Sequence, residues 1–181
     1  MKRYSLKGNK VYFDDNFFID LNKKTIAEYE LDKREEISEE EYRALIRRRA
    51  LSMGYFLLAK KDYSIKEFTS KLLIKYRERD IINEIIQEFI ENNYLNDMEY
   101  GRSFIKIHNY GRKKTEFMLM QKGLSQQIIK ELLEENSDEE LEEIKRLWIK
   151  LGEKEKDKKI LSLMRKGFEY RDIKKVVSEL E

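Results

Sequence analysis

Three stretches of this 181-residue chain carry one short pattern, and that repetition restricts the folds open to it. Lys122-Gly123-Leu124 is followed after four residues by Ile129 and, after two more, by Leu132-Leu133. Lys166-Gly167-Phe168 precedes Ile173 and Val176-Val177 at the same offsets. Lys75-Tyr76-Arg77, with Ile82 and Ile85-Ile86, is a degenerate copy, and Leu72, Leu119 or Leu163 stands three residues before each lysine. The copies lie 47 and 44 residues apart, a period typical of stacked helical repeats, which run to about 40–47 residues.

The pattern has a direct physical reading. The leucine anchors the second helix of a unit, and the glycine ends that helix in a left-handed turn that other residues adopt only at a cost of about 1 kcal/mol. The apolar residue after it packs back, and the Ile-x-x-Leu-Leu stripe forms the inner face of a third helix. Each unit is therefore expected to be a small three-helix bundle, with turns at Tyr76, Gly123 and Gly167. The chain contains no proline, so helix ends must come from caps, glycines and polar breaks. Ser38 with Glu41, Ser64 with Glu67, and Ser137 with Glu140 have capping-box spacing. Asp80 is expected to cap a further helix, and Asn96 or Asp97 another. Tyr55, Tyr76, Tyr94, Tyr100 and Trp148 fall at positions that the repeats should bury.

The beginning of the chain reads differently. Lys10–Phe13 and Phe17–Leu21 look like short strands around a turn at Asp14-Asp15-Asn16, with a third short strand over residues 25–29. The expected architecture is mainly α: a tandem array of three three-helix repeats with a small amino-terminal β appendage. Its segments are a hairpin-like portion at 1–36, then repeats at 37–93, 94–136 and 137–181.

Charge is distributed in blocks. Residues 43–79 hold 11 basic and 3 acidic groups, residues 101–130 hold 7 and 1, and residues 131–143 hold 8 acids and no base, although the net charge is only +2. Such blocks give surfaces a polarity. No apolar run approaches the roughly 18–20 residues that span a bilayer, and the first residues lack a secretory pattern. The absence of cysteine excludes disulfides and thiolate metal sites. A cytoplasmic protein with no membrane association is the expectation.

Catalytic chemistry finds little support. His108 is the single histidine, and no Ser–His–Asp set, HExxH or phosphate loop is present; Gly111-Arg112-Lys113-Lys114 lacks the spacing of the last. The acidic run 138–143 reads as a solvated helix start favoured by the helix dipole. No enzyme activity, cofactor or metal is expected. The basic residues are the candidates for binding, because lysine and arginine on helix faces suit phosphate contacts. Arg43, Arg47, Arg48 and Arg49 share one helix. Arg102, Lys106, Arg112, Lys113 and Lys114 form a second cluster. Lys61, Lys75, Arg77, Lys122 and Lys166 lie at or near the repeat turns.

At these residues the chain resembles the RecX family, bacterial regulatory proteins that modulate the RecA recombinase. The first repeat of that family, an Ala-Leu-rich helix, a basic residue and Ser-x-x-Glu-Leu, is matched by Ala50-Leu51, Leu58-Ala59, Lys61 and Ser64-Ile65-Lys66-Glu67-Phe68. Its Tyr-Leu-x-Asp signature at the start of repeat two is matched by Tyr94-Leu95-Asn96-Asp97, with Tyr100 and Phe104 following. The two Lys-Gly-hydrophobic turns also agree, and the likeness covers roughly residues 44–180. Two positions depart from the pattern: Tyr76 stands where repeat one usually has glycine, and Lys61 where it usually has arginine. The resemblance implies a monomeric regulator that lies along the RecA–single-stranded DNA filament and mainly inhibits strand exchange and ATP hydrolysis. RecA, single-stranded DNA and, less strongly, double-stranded DNA are the implied partners. The alternative is a helical DNA-binding protein that acts without RecA.

Overall fold

The computed structural model describes residues 1–14 and 16–180. Strands β1 (Lys2–Arg3), β2 (Ser5–Lys7), β3 (Lys10–Asp14) and β4 (Phe17–Asp20) are followed by helix α1 (Lys23–Glu28) and strand β5 (Glu36–Ile37). The remainder is helical and falls into threes. The first set is α2 (Glu39–Leu58), α3 (Ile65–Tyr76) and α4 (Arg79–Glu91); the second is α5 (Asp97–His108), α6 (Arg112–Lys122) and α7 (Gln126–Glu135). The third is α8 (Ser137–Lys150), α9 (Lys156–Arg165) and α10 (Tyr170–Leu180). The fold is thus mainly α, with three successive three-helix repeats and a small amino-terminal sheet. Two compact units contain these elements: residues 1–63 with 67–95, and residues 64–66 with 96–181.

In the first unit, β2, β3 and β4 form an antiparallel sheet, while β1 pairs with β5 immediately before α2. Alternation puts Val11, Phe17 and Ile19 on the buried side. Phe13 meets Tyr42 of α2 edge-on, with ring centres 4.8 Å apart. The sheet is therefore covered on one face, as so short a sheet requires for stability. Below it the helices bury Leu45, Ile46, Phe68, Leu72, Ile82, Ile85 and Phe89 completely. One expectation fails here. Residues 25–29 are not a strand, because the Asn22 side chain accepts the Thr25 N–H at 2.8 Å and starts α1, which buries Thr25 and Ile26. The third strand of the sheet is instead Ser5–Lys7. Asp15, in the expected turn, lies outside the described residues.

The start of α2 and that of α5 follow the expected caps, and those of α4 and α8 do not. The Ser38–Glu41 capping box is complete in both directions, and Asn96 caps α5 by accepting the N–H groups of Met98 and Glu99. Asp80 is already inside the first turn of α4, which begins after Glu78. Ser137 is likewise inside α8; Asn136 precedes that helix and makes no side-chain cap. Glu140, freed from that role, points elsewhere.

The turns explain the degenerate copy. Gly123 (φ 89°) and Gly167 (φ 96°) take the left-handed conformation. In repeat one this conformation moves one residue on, to Arg77 (φ 61°). Tyr76 is therefore not the turn residue: it remains helical, is 1% exposed, and donates its hydroxyl hydrogen to the Arg49 carbonyl at 3.0 Å. A left-handed arginine costs roughly 1–2 kcal/mol. The Arg77 side chain offsets that by donating to the Asn16 carbonyl at 2.8 Å, standing 3.5 Å from Asp14 and covering the Phe17 ring.

The second unit is held by one joint used twice. The Gly111 N–H donates to the Lys166 carbonyl and the Lys113 N–H to the Gly167 carbonyl, both at 3.1 Å. A Cβ at Gly111 would come within 2.1 Å of the Phe168 nitrogen, so only glycine allows the two backbones to meet. The Glu140 carboxylate accepts the Arg112 N–H at 2.6 Å and so caps α6. The same parts recur around Lys122-Gly123. Ser64 donates its hydroxyl to the Lys122 carbonyl at 2.7 Å, and the Asp97 carboxylate accepts the Ile65 N–H at 2.8 Å. A Cβ at Gly123 would press on the Lys66 side chain. Each Lys-Gly turn thus grips the first turn of an earlier helix, and a carboxylate caps that helix from outside it. Replacing Gly111 by alanine should force the joint open and cost about 3 kcal/mol, at the upper end of overpacking penalties. Urea denaturation measures this, and an unchanged midpoint would contradict it.

Candidate interaction surface

The basic residues divide according to whether the protein already neutralises them. Arg43 lies 3.5 Å from Glu84, Arg47 bonds Glu88, and Arg48 lies 2.9 Å from Glu28. The arginine cluster of α2 is therefore largely committed to intramolecular pairs. Arg102 is held most firmly: its guanidinium donates to both Glu135 oxygens at 2.9 Å and to Glu99 at 2.6 Å. These carboxylates raise its pKa beyond its usual value, and Arg102 in turn lowers that of Glu135. Arg112 turns its side chain toward the Leu133 carbonyl at 3.1 Å, and Lys113 stands 3.9 Å from Glu169. Arg77 anchors the sheet.

The lysines are less occupied. Lys61, Lys75 and Lys114 lie over the rings of Tyr63, Tyr76 and Tyr110, at 4.4, 5.8 and 3.9 Å from the ring centres. Lys106 and Lys166 are exposed. None of these five has a carboxylate within ion-pair distance among the described residues. Lys122 and Lys166 contribute their carbonyls to the joints as well.

The same surfaces expose apolar side chains that the repeat pattern does not predict. Phe117 and Met120 project from α6, and Leu161 and Met164 stand at the matching positions of α9. Tyr55 and Tyr94, expected in the core, are 47% and 54% exposed; they pack edge-on to each other and to Phe89. Tyr100 and Trp148 are partly buried against the cores of repeats two and three. His108 is exposed between Phe104 and Tyr110. Among the described residues, no three His, Asp or Glu side chains converge as a metal site, and no helix is long and apolar enough to cross a membrane. An open groove of about 1080 Å³ in the second unit is lined by charges of both signs, among them Arg102, Lys106, Lys145, Glu135, Asp138 and Glu139.

Comparison with known proteins follows this geometry. No family model matches the chain. It is 33% identical over 184 residues to "Regulatory protein RecX" of Streptococcus sanguinis, covering 93% of this chain and 71% of that protein. The chain belongs to the RecX family. A second RecX, from Lactobacillus gasseri, is 31% identical over 141 residues, which are 72% of this chain but 51% of the relative. The chain thus spans about half the length of that relative. The crystal structure of RecX from Lactobacillus salivarius superposes with a TM-score of 0.66 at 24% identity, covering 76% of this chain and 97% of the other, and so shares the fold. Within the RecX pattern, Asp97 of the Tyr-Leu-x-Asp signature now has a structural role: it caps α3, while its neighbour Asn96 caps α5.

Asp97 and Glu140 carry the clearest electrostatic signature of the joints. Burial raises both carboxyls above their ordinary pKa values, and the backbone N–H that each accepts offsets this only in part. Glu140 is 6% exposed. An acid with a raised folded pKa contributes its full stability below its unfolded value, near pH 4, and loses it as pH rises through the folded value. Asp97→Asn and Glu140→Gln should therefore compare more favourably with the parent at pH 7 than at pH 4. Paired urea melts at the two pH values would show this; a pH-independent difference would contradict it.

Proposed function

We propose that this chain binds the RecA–single-stranded DNA filament and lowers the strand exchange and ATP hydrolysis of RecA. Membership in the RecX family carries the reading. It is supported by the five lysines with no carboxylate at ion-pair distance among the described residues, a charge left available for RecA carboxylates or DNA phosphates. A multi-repeat chain suits a periodic target, because weak contacts on one chain add as avidity. In this reading the protein is a cytoplasmic monomer that turns over no substrate and needs no cofactor. Single-stranded DNA within the filament is its principal nucleic-acid contact and duplex DNA a lesser one.

The ion pairs refine the choice of contact residues. Arg43, Arg47, Arg48, Arg77 and Arg102 serve the fold first, while Lys75, Lys106, Lys114 and Lys166, with Lys61, face the partner. RecA ATP hydrolysis on single-stranded DNA, titrated with this protein, tests the reading. Inhibition should appear well below one molecule per RecA. Reversing Lys75, Lys106, Lys114 and Lys166 to glutamate should raise the concentration needed by about tenfold or more, since each lost charge contact is worth about 1 kcal/mol. No inhibition by the folded parent, using RecA of the same organism, would leave RecA-independent DNA binding as the better account.

A further inference from the structure

We infer that the outer face of the amino-terminal sheet is a stacking platform for single-stranded nucleic acid. The strand register sets out this face as a small grid. Tyr12 pairs with Ser5 on one side and Phe18 on the other; Lys10 pairs with Lys7 on one side and Asp20 on the other. One row therefore carries two neighbouring aromatic rings, and the next row, about 7 Å along the strands, carries two neighbouring ammonium groups. The ring centres of Tyr12 and Phe18 are 5.1 Å apart with planes inclined at 36°. The buried face of the same sheet is already filled by Val11, Phe17 and Ile19, so the hydrophobic core does not require this second aromatic pair.

A solvent-facing sheet surface is ordinarily polar, yet Phe18 is 36% exposed and has no polar atom to justify its position. Lys7 lies 5.5 Å from the Tyr12 ring centre and Lys10 lies 4.7 Å from that of Phe18. Neither lysine forms an ion pair among the described residues. Asp14 is turned to Arg77, leaving Asp20 as the carboxylate on this face among the described residues. Cation–ring contacts at exposed sites are weak, so both ammonium groups can leave the rings for phosphates. Aromatic rings on a sheet, flanked by lysines, bind single strands by taking bases on the rings and phosphates on the cations. A base pair in a duplex cannot present its ring face in this way. The proposal gives the amino-terminal sheet a role that the filament reading does not assign, and it does not depend on that reading.

Its test uses the full chain and a fluorescein-labelled oligo(dT), with no RecA present. Anisotropy titrations should show binding to the single strand in preference to a duplex of the same length. Tyr12→Thr with Phe18→Thr, which keeps strand propensity, should weaken binding about tenfold or more without changing its salt dependence. Lys7→Gln with Lys10→Gln, at exposed positions, should reduce the slope of log K against log salt by about 1.4. Circular dichroism establishes that each variant is folded. Absence of binding by the parent, equal affinity for duplex, or lysine variants with the parent's salt slope would overturn the proposal.

Discussion

The second unit depends on satisfying buried helix N-termini. A helix leaves its first N–H groups without intrahelical partners, and where α3 and α6 begin, another part of the chain lies against them. Asp97 and Glu140 meet that need with carboxylates, and at α6 the Lys166 and Gly167 carbonyls accept two further N–H groups, while the Lys122 carbonyl holds the start of α3 through the Ser64 hydroxyl. Two effects compete at each carboxylate. The helix dipole and the accepted N–H favour the charge, while burial opposes it. Burial prevails, as the raised pKa values of both groups show. The joint gains direction from its hydrogen bonds at some cost in desolvation.

The two glycine requirements in this joint have different causes. Gly123 and Gly167 are needed for a left-handed backbone, whereas Gly111 is needed because another backbone lies where a Cβ would go. Repeat one shows what happens without the turn glycine. The left-handed position passes to Arg77, whose side chain reaches the amino-terminal strands, and Tyr76 becomes a core residue. A departure from the repeat pattern thus coincides with an extra element that only this repeat must hold. Ion pairing shapes the surface in a comparable way. Several arginines, with their forked geometry, are taken up by carboxylates within the chain, whereas Lys61, Lys75, Lys106, Lys114 and Lys166 have no carboxylate at ion-pair distance among the described residues.

The repeat array was legible because its period, leucines and Ile-x-x-Leu-Leu stripes all report one periodic core. Local capping was legible where the partner is close in sequence, as with Ser38 and Glu41. Several misread features have partners that are distant in the chain. Glu140 has the spacing to cap its own helix but caps α6. Residues 25–29 have strand-like composition, yet the local Asn22 cap turns them into a helix. Tyr55 and Tyr94 keep core spacing while standing at the edge of the packed region. Of the candidate site residues, the sequence identified a basic surface but not which cations remain available, because Glu84, Glu88 and Glu135 lie 33 to 41 residues from their partners.

Ile65 and Arg112 offer the most direct view of the joints, since each is the first residue of its helix. Amides at that position normally exchange with solvent quickly. Native-state hydrogen exchange should find both N–H groups protected to the level of amides within α3 and α6, because buried carboxylates hold them. Exchange as fast as that of first-turn amides in α7, such as Gln126, would contradict the view that these carboxylates hold the joints of the second unit.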